Sequence, residues 1–187
     1  MKTLFLGYPD SPLIAYLQNL GDEVEVLTEP LTATDLNEFG PDWIVSYGYR
    51  HILKKQVLNL YPDRFINLHI AYLPWNRGAD PNLWSWIEGT PKGVTIHYID
   101  PGVDTGDIIA QKEVRFTDNE TLASSYAKLQ TEIQALFRLV WPAIKVGCAS
   151  RQKQSGKGTY HRVEDRARVA HLLTAGYQTP VRNLKPV

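Results

Sequence analysis

The sequence is poor in cysteine and has no hydrophobic run long enough to cross a membrane. Cys148 is the single cysteine among 187 residues, which excludes an internal disulfide and a cysteine metal cluster and favours a reducing, cytoplasmic environment. The amino-terminal stretch MKTLFLGYPD lacks a small-residue cleavage site, so it is interpreted as a first strand and not as a leader. Hydrophobic residues make up 43% and charged residues 21%, the balance of a soluble globular protein.

The sequence also lacks net charge, because 20 Lys and Arg balance 20 Asp and Glu. The balance is uneven: from Arg151 onward eight basic residues face two acidic ones, so this end carries +6 and residues 1–150 carry −6. A neutral protein is a poor candidate for broad nucleic-acid binding, which needs many phosphate contacts. We therefore expect small-molecule partners, with neither nucleic acid nor membrane.

Predicted strands and helices alternate through the first 150 residues. Strands are predicted at 2–8, 22–29, 42–49, 65–70, 93–100 and 107–116. This alternation predicts an α/β, Rossmann-like fold with a mostly parallel sheet and helices on both faces, in which ligands bind beyond the carboxyl ends of strands. We predict a catalytic domain over 1–150 and a short, basic carboxyl-terminal appendage over 151–187 that packs on it.

A long helix is predicted over 121–147. Apolar residues recur there every three or four positions, which indicates one buried stripe, and Pro142 is expected to kink or end the helix. The stripe consists of Leu122, Tyr126, Leu129, Ile133, Leu136, Val140 and Ile144.

Two polar side chains, Asn67 and His69, lie two residues apart on the fourth predicted strand and therefore point to the same face. Histidine exchanges protons near neutral pH, and an Asn amide can donate a hydrogen bond to an oxygen that becomes negative during carbonyl attack. The pair is suited to acyl transfer. On the pair alone, a strand end whose polar groups satisfy loop backbone is the favoured explanation.

A third polar group follows in the stretch DPGVDTGD. A carboxylate beside a histidine orients the ring and stabilises its charged form, and a helix and a strand between them can return Asp104 to the same sheet edge as His69. Asp100, before Pro-Gly, is interpreted as a turn former. A metal site built from His51, His69, His97, Asp100 and Asp104 is the alternative. The spacing of these residues fits no tight metal-binding motif, so we predict no metal.

The segment 65–114 as a whole resembles the formyltransferase family that uses 10-formyltetrahydrofolate. Its ordered motifs are Asn-x-His, Leu-Pro, Arg/Lys-Gly, Gly-Val-Thr and Asp-x-Gly. The matching positions here are Asn67, His69, Leu73-Pro74, Arg77-Gly78, Gly93-Val94-Thr95 and Asp104-Thr105-Gly106. Upstream, PDWIVSYGYRHIL is similar to the family segment that holds the folate pterin through loop backbone.

The resemblance implies a formyltransferase fold and an enzyme that moves a formyl group from 10-formyltetrahydrofolate, its co-substrate, to an amine. Asn67 and protonated His69 would stabilise the oxyanion, while Asp104 would hold His69 and help to move the amine proton. The residues that the resemblance implies for folate binding are Tyr49, Arg50, His51, Ile52, Leu53, Asp100 and Gly102.

The acceptor amine is predicted from the positions at which this sequence differs from family members that act on other amines. Only a short segment follows Cys148, unlike the large second domain of the tRNA enzymes, and GYPDSP replaces the glycine-rich phosphate loop of the ribonucleotide enzymes. The tail is similar to that of small formyltransferases of surface-polysaccharide biosynthesis. Aromatic residues with Asn and Arg between them suit a sugar ring, so we predict a nucleotide-linked amino sugar as acceptor. The predicted substrate-binding residues are Trp75, Asn76, Arg77, Gly78 and Asn82.

Alternatives remain at this stage. Glycinamide ribonucleotide is a second possible acceptor, and water is a third, which would make the protein a formyl-folate hydrolase. A catalytically silent folate or nucleotide-sugar binding module is an alternative of another class, although such a module has no use for Asn67, His69 and Asp104 together. A homodimer formed by edge pairing of 107–116 is also left open.

Overall fold

The computed structural model describes residues 1–184. The strands are β1 Lys2–Gly7, β2 Glu23–Leu27, β3 Trp43–Tyr47, β4 Phe65–His69, β5 Arg77–Gly78, β6 Gly93–Tyr98, β7 Ile108–Glu113 and β8 Tyr160–His161. The α-helices are α1 Pro12–Asn19, α2 Ala33–Phe39, α3 Lys55–Leu58, α4 Pro81–Ile87, α5 Leu122–Lys145 and α6 Arg166–Val169. Four short 3₁₀ helices also lie within the described carboxyl-terminal residues.

Six strands form one sheet in the order β2-β1-β3-β4-β6-β7. β1, β2, β3 and β4 are parallel, β6 is antiparallel to β4, and β7 is antiparallel to β6. The predicted α/β fold with a mostly parallel sheet is therefore confirmed. β7 is an edge strand. Among the described residues, its outer edge has one bridge, between Ile108 and Gln152.

Helices cover both faces of this sheet, as predicted. α1 begins at the Ser11 cap, whose hydroxyl accepts the Leu13 N–H, and Pro12 occupies the first turn. α1 and α5 pack on one face, where Phe5, Val45 and Ile66 are buried against Leu129 and Ile133. On the opposite face, α2 and α3 form a smaller apolar cluster with β1 and β3.

The long helix α5 is confirmed, and five of the seven residues of the predicted stripe are buried: Leu122, Leu129, Ile133, Leu136 and Ile144. Phe137 and Trp141 are also fully buried, whereas Tyr126 is 37% exposed and its hydroxyl lies 2.9 Å from that of Tyr8. Tyr126 therefore lies at the edge of the buried face. Pro142 lies inside α5 and does not end it, because the helix continues to Lys145.

The segment after residue 150 packs on the rest of the chain. β8 pairs in parallel with β5, and Val181 and Leu184 are buried with α4 and the start of α5. The last three residues of the predicted appendage, 185–187, lie outside the described residues. Within the described part of the chain, no helix is both long enough and apolar enough to cross a membrane.

Candidate active site

The polar residues of β4 and β6 face the same side of the sheet. In the antiparallel register Asn67 lies opposite His97, and His69 lies opposite Thr95. Three of these four side chains are buried, and Asn67 is partly buried. Because neighbouring strands place register partners on one face, the pairing gathers two histidines and an amide into one cluster.

Thr95 anchors the loop that follows β4. Its hydroxyl donates to the Ala71 carbonyl at 2.7 Å and accepts the Leu73 N–H at 3.2 Å. The Gln111 amide bonds both Thr95 and the Leu73 carbonyl. The Leu-Pro and Gly-Val-Thr motifs therefore meet in space and fix the chain as it leaves His69.

Asp104 lies at the centre of the cluster. Its Oδ1 accepts from Asn67 Nδ2 at 3.1 Å and lies 3.3 Å from His97 Nε2. Its Oδ2 accepts the Gly78 N–H at 2.9 Å and lies 3.7 Å from His69 Nδ1. The structure thus brings together Asn67, His69 and Asp104.

The route that brings Asp104 to the cluster has the expected helix and strand, because α4 and β6 lie between His69 and Asp104. The loop 99–107 between the antiparallel strands β6 and β7 then returns Asp104 over the sheet face. Asp104 adopts φ +52°, a left-handed conformation that is uncommon for residues other than glycine. Because β6 runs antiparallel to β4, His97 lies opposite Asn67 and beside the carboxylate.

The environment keeps Asp104 ionised. Burial disfavours the charged carboxylate, but the positive charge and hydrogen bonding of His69 and His97, together with the Gly78 N–H, outweigh it. The pKa of Asp104 is therefore held well below its ordinary value. A carboxylate of this kind is a strong electrostatic partner and a weak proton acceptor.

The second nitrogen of His69 is also engaged. Its Nε2–H donates to the Asn76 carbonyl at 3.1 Å. The Asn76 side chain is 1% exposed and is bonded to Glu88, Thr90 and Thr159. Asn76 was predicted to bind substrate through its side chain, but that side chain faces the interior, and the residue contacts the site through its carbonyl.

Asn82, also predicted to bind substrate, is buried as well. Its amide donates to the Leu122 carbonyl, and its oxygen accepts from Ser125, so the side chain ties α4 to α5. Trp75 and Arg77 are both partly exposed. Arg77 Nε is buried and has no hydrogen-bond partner among residues 1–184.

The predicted folate-binding residues after β3 form an exposed loop. Arg50, His51 and Ile52 are exposed, Ile52 to 82%. Tyr49 differs from them, because its hydroxyl donates to the Glu29 carbonyl and accepts the Leu31 N–H, which fixes the start of the loop to the β2–α2 connection. Leu53 packs partly against the cluster beneath α2 and α3.

Asp100 and Gly102 shape the loop that carries Asp104. The Asp100 carboxylate accepts the Gly102 N–H at 3.0 Å and the Thr105 hydroxyl at 2.5 Å, which is the turn-forming role expected of it. A Cβ at Gly102 would lie 2.0 Å from Thr105 Oγ1, so a larger residue there would displace the Thr105 side chain. Among residues 1–184, no group of three or more His, Cys, Asp or Glu is arranged to hold a metal ion.

His97 was not among the predicted catalytic residues, although it touches Asp104. Its Nδ1–H donates to the Tyr98 carbonyl at 2.7 Å, and its Nε2 lies 3.3 Å from Asp104 Oδ1 and 3.2 Å from Asn67 Nδ2. The sequence contained a usable clue. Thr95 and His97 repeat the two-residue polar spacing of Asn67 and His69 on the next strand.

Comparison with known proteins agrees with this geometry. A formyl transferase family model matches residues 16–140. The formyltransferase PseJ from Anoxybacillus kamchatkensis, whose crystal structure is a complex with UDP-4,6-dideoxy-4-formamido-L-AltNAc and tetrahydrofolate, is 44% identical. The match covers 99% of this chain and 98% of that one, with a TM-score of 0.95.

More distant structures share the fold. A 4-N formyltransferase from Francisella tularensis is 24% identical over 90% of this chain and 78% of its own, with a TM-score of 0.79. A methionyl-tRNA formyltransferase from Clostridium thermocellum is 18% identical over 87% of this chain and 72% of its own, with a TM-score of 0.69. The family model and the Anoxybacillus structure show that the chain is a formyltransferase. The chain belongs to the formyl transferase family.

Proposed function

We propose that this protein transfers the formyl group of 10-formyltetrahydrofolate to the amino group of a nucleotide-linked sugar, with a UDP-linked 4-amino-4,6-dideoxy sugar as the first candidate. The observation that carries the proposal is the buried contact of Asp104 with Asn67 and His69. The choice of acceptor is supported by the nearly full-length similarity to the Anoxybacillus enzyme and by the ligands in its crystal structure.

The cluster is suited to a carbonyl carbon under attack by an amine. As the amine bonds to the formyl carbon, the formyl oxygen gains negative charge, which donors fixed in advance can stabilise. Asn67 Nδ2 and protonated His69 supply such donors. In the free protein they converge on the Asp104 carboxylate, so the donor set already stabilises an anion. The reaction then breaks the bond from the formyl carbon to folate nitrogen and leaves an amide on the sugar.

Asp104 acts in this scheme mainly through its charge. Because its pKa is lowered, it does not retain the amine proton, and its carboxylate holds the His69 ring in orientation. The proton that the amine loses passes on to the folate nitrogen or to solvent. Positioning and electrostatics are sufficient for this reaction, and no covalent enzyme intermediate is needed.

The two substrates are assigned to different loops. We assign the folate to the loop of Tyr49, Arg50, His51, Ile52 and Leu53 and to the 99–107 loop with Asp100 and Gly102. We assign the sugar nucleotide to the partly exposed Trp75, Arg77 and Gly78. The side chains of Asn76 and Asn82 face the interior. Their hydrogen bonds support the loop of Trp75 and Arg77 and the start of α4. A cytoplasmic location and a homodimer remain predictions.

The test follows tetrahydrofolate release from 10-formyltetrahydrofolate with a panel of acceptors: UDP- and dTDP-linked 3- and 4-amino sugars, glycinamide ribonucleotide, and water alone. We expect turnover with a 4-amino sugar nucleotide that is lost in His69→Ala and Asp104→Ala. Faster turnover with glycinamide ribonucleotide or with water would replace the proposed acceptor. Folate binding without turnover on any acceptor would indicate a silent binding module.

A further inference from the structure

The carboxyl-terminal segment 152–161 contacts the candidate active site in two separate places. One set of contacts reaches the loop that carries Asp104, and the other reaches Asn76, whose carbonyl accepts from His69. The formyl transferase family model ends at residue 140, so this segment lies outside the part of the chain that the model matches.

The first contact fixes the backbone of Asp104. Gln154 Nε2 donates to the Asp104 carbonyl and to the Gly106 carbonyl, both at 2.8 Å. Asp104 needs such support, because a left-handed backbone conformation in a residue with a side chain persists only where surrounding contacts determine it.

The same segment also fixes the partner of the Asp104 carboxylate. Gly78, whose N–H donates to Asp104 Oδ2, belongs to β5 and is paired with His161 of β8. The two strands approach so closely that a Cβ at Gly78 would lie 2.2 Å from the His161 carbonyl oxygen. The orientation of this N–H toward the carboxylate therefore depends on the pairing of β5 with β8.

The second set of contacts fixes Asn76. Thr159 Oγ1 accepts the Asn76 N–H at 2.9 Å, and the Asn76 side chain donates to Glu88 Oε2 at 3.2 Å. The other Glu88 oxygen is 2.8 Å from His161 Nε2, and the His161 ring stacks on Trp84 with ring centroids 3.8 Å apart. Like Asp104, Asn76 has a positive φ, +55°.

We infer that the 152–161 segment is a positioning element for catalysis, in which Gln154 sets the carboxylate of Asp104 and Thr159, through Asn76, sets the ring of His69. Neither residue touches the reacting atoms in this assignment. Both act on the geometry of groups that do, and a displacement of about 1 Å at such groups can lower a rate about 100-fold. The inference rests on the proposed function for its kinetic consequence, while the contacts themselves are independent of it.

The test uses full-length protein and four variants. Gln154→Met removes the amide donors at similar length. Thr159→Val removes the hydroxyl, and Thr159→Ser keeps it. Lys157→Ala changes an exposed residue of the same segment and serves as the control. For each we would measure kcat and KM with 10-formyltetrahydrofolate and the amino-sugar nucleotide, the thermal midpoint, and the imidazole ¹⁵N resonances of His69.

We expect Gln154→Met and Thr159→Val to lower kcat by about 10- to 100-fold with much smaller changes in KM. We expect Thr159→Val to shift the His69 resonances and Thr159→Ser to restore both readouts. Wild-type kcat in both loss variants would overturn the inference, as would unshifted His69 resonances in Thr159→Val. If the wild-type protein transfers no formyl group to any amino sugar, the proposed function fails, and the resonances still decide whether the segment positions His69. If a loss variant does not fold, the resonances and kcat of the other one decide the inference.

Discussion

The two faces of strands β4 and β6 differ in chemistry although the same two strands build both. On one face Ile66, Leu68 and Ile96 are buried against α5. On the other, Asn67, His69 and His97 surround Asp104, and loops cover them in place of a long helix. Because successive side chains of a strand point to opposite faces, the residues that stabilise the core and the residues of the candidate active site lie on different faces. Substitutions on the two faces should therefore produce different losses, and the following predictions test this separation.

The largest effect is expected on the polar face. His69→Ala should lower kcat by about 10²- to 10⁴-fold, the usual contribution of a positioned acid–base group. The thermal midpoint should fall less than in a core truncation, because the ring takes no part in the apolar core and only the favourable contact with Asp104 is lost. Steady-state kinetics and a melting curve check this result. His171→Ala, at an exposed histidine, is the matched control. A large drop in the midpoint would show that the two faces are not separate.

The opposite pattern is expected on the apolar face. Ile66 is fully buried, and truncation to alanine should lower the free energy of unfolding by about 2–5 kcal/mol because it leaves a cavity. The kcat of the remaining folded protein should stay near that of the wild type. Urea unfolding and an active-site titration measure the two quantities. A fall in kcat as large as that in His69→Ala would contradict the separation.

A smaller effect is expected at His97, which touches Asp104 but not the reacting groups in our assignment. His97→Ala should lower kcat about 10-fold, equivalent to about 1.4 kcal/mol. It should also raise the pKa of Asp104, since one of the groups that lower it is removed. Carboxyl ¹³C resonances of the variant measure the pKa. An unchanged pKa of Asp104 would show that His97 does not act on the carboxylate.

The smallest effect concerns the pH dependence of stability. Because the folded-state pKa of Asp104 is lowered, its ionisation stabilises the fold at pH above the unfolded value near 3.8. This contribution is lost as the pH falls below that value toward the folded pKa. The unfolding free energy of Asp104→Asn should therefore fall less steeply than that of the wild type below about pH 4. Parallel slopes in the two proteins would show that the carboxylate is not stabilised as described.

The sequence predicted the two strand residues and the carboxylate of the site because their positions depend on local patterns. Asn67 and His69 follow strand periodicity, and Asp104 belongs to an ordered series of motifs. His97 was missed because its neighbour in space is set by an antiparallel register, and the alternating pattern favoured parallel strands.

The substrate residues illustrate a different limit of the sequence. Asn76 and Asn82 stand in the same aromatic stretch as Trp75 and Arg77, and nothing local distinguishes them. Their orientation depends on Thr159 and Ser125, far away in the chain. Long-range contacts of this kind also explain why the role of residues 152–161 was not evident from their composition.

The measurement that most directly tests the central claim is the identification of the product. The protein would be incubated with 10-formyltetrahydrofolate and a UDP-linked 4-amino-4,6-dideoxy sugar, and the nucleotide product would be examined by proton NMR. We predict a formyl proton on the sugar 4-amino nitrogen, with wild-type protein and not with His69→Ala. An unmodified sugar nucleotide in the presence of active, folate-binding protein would contradict the account.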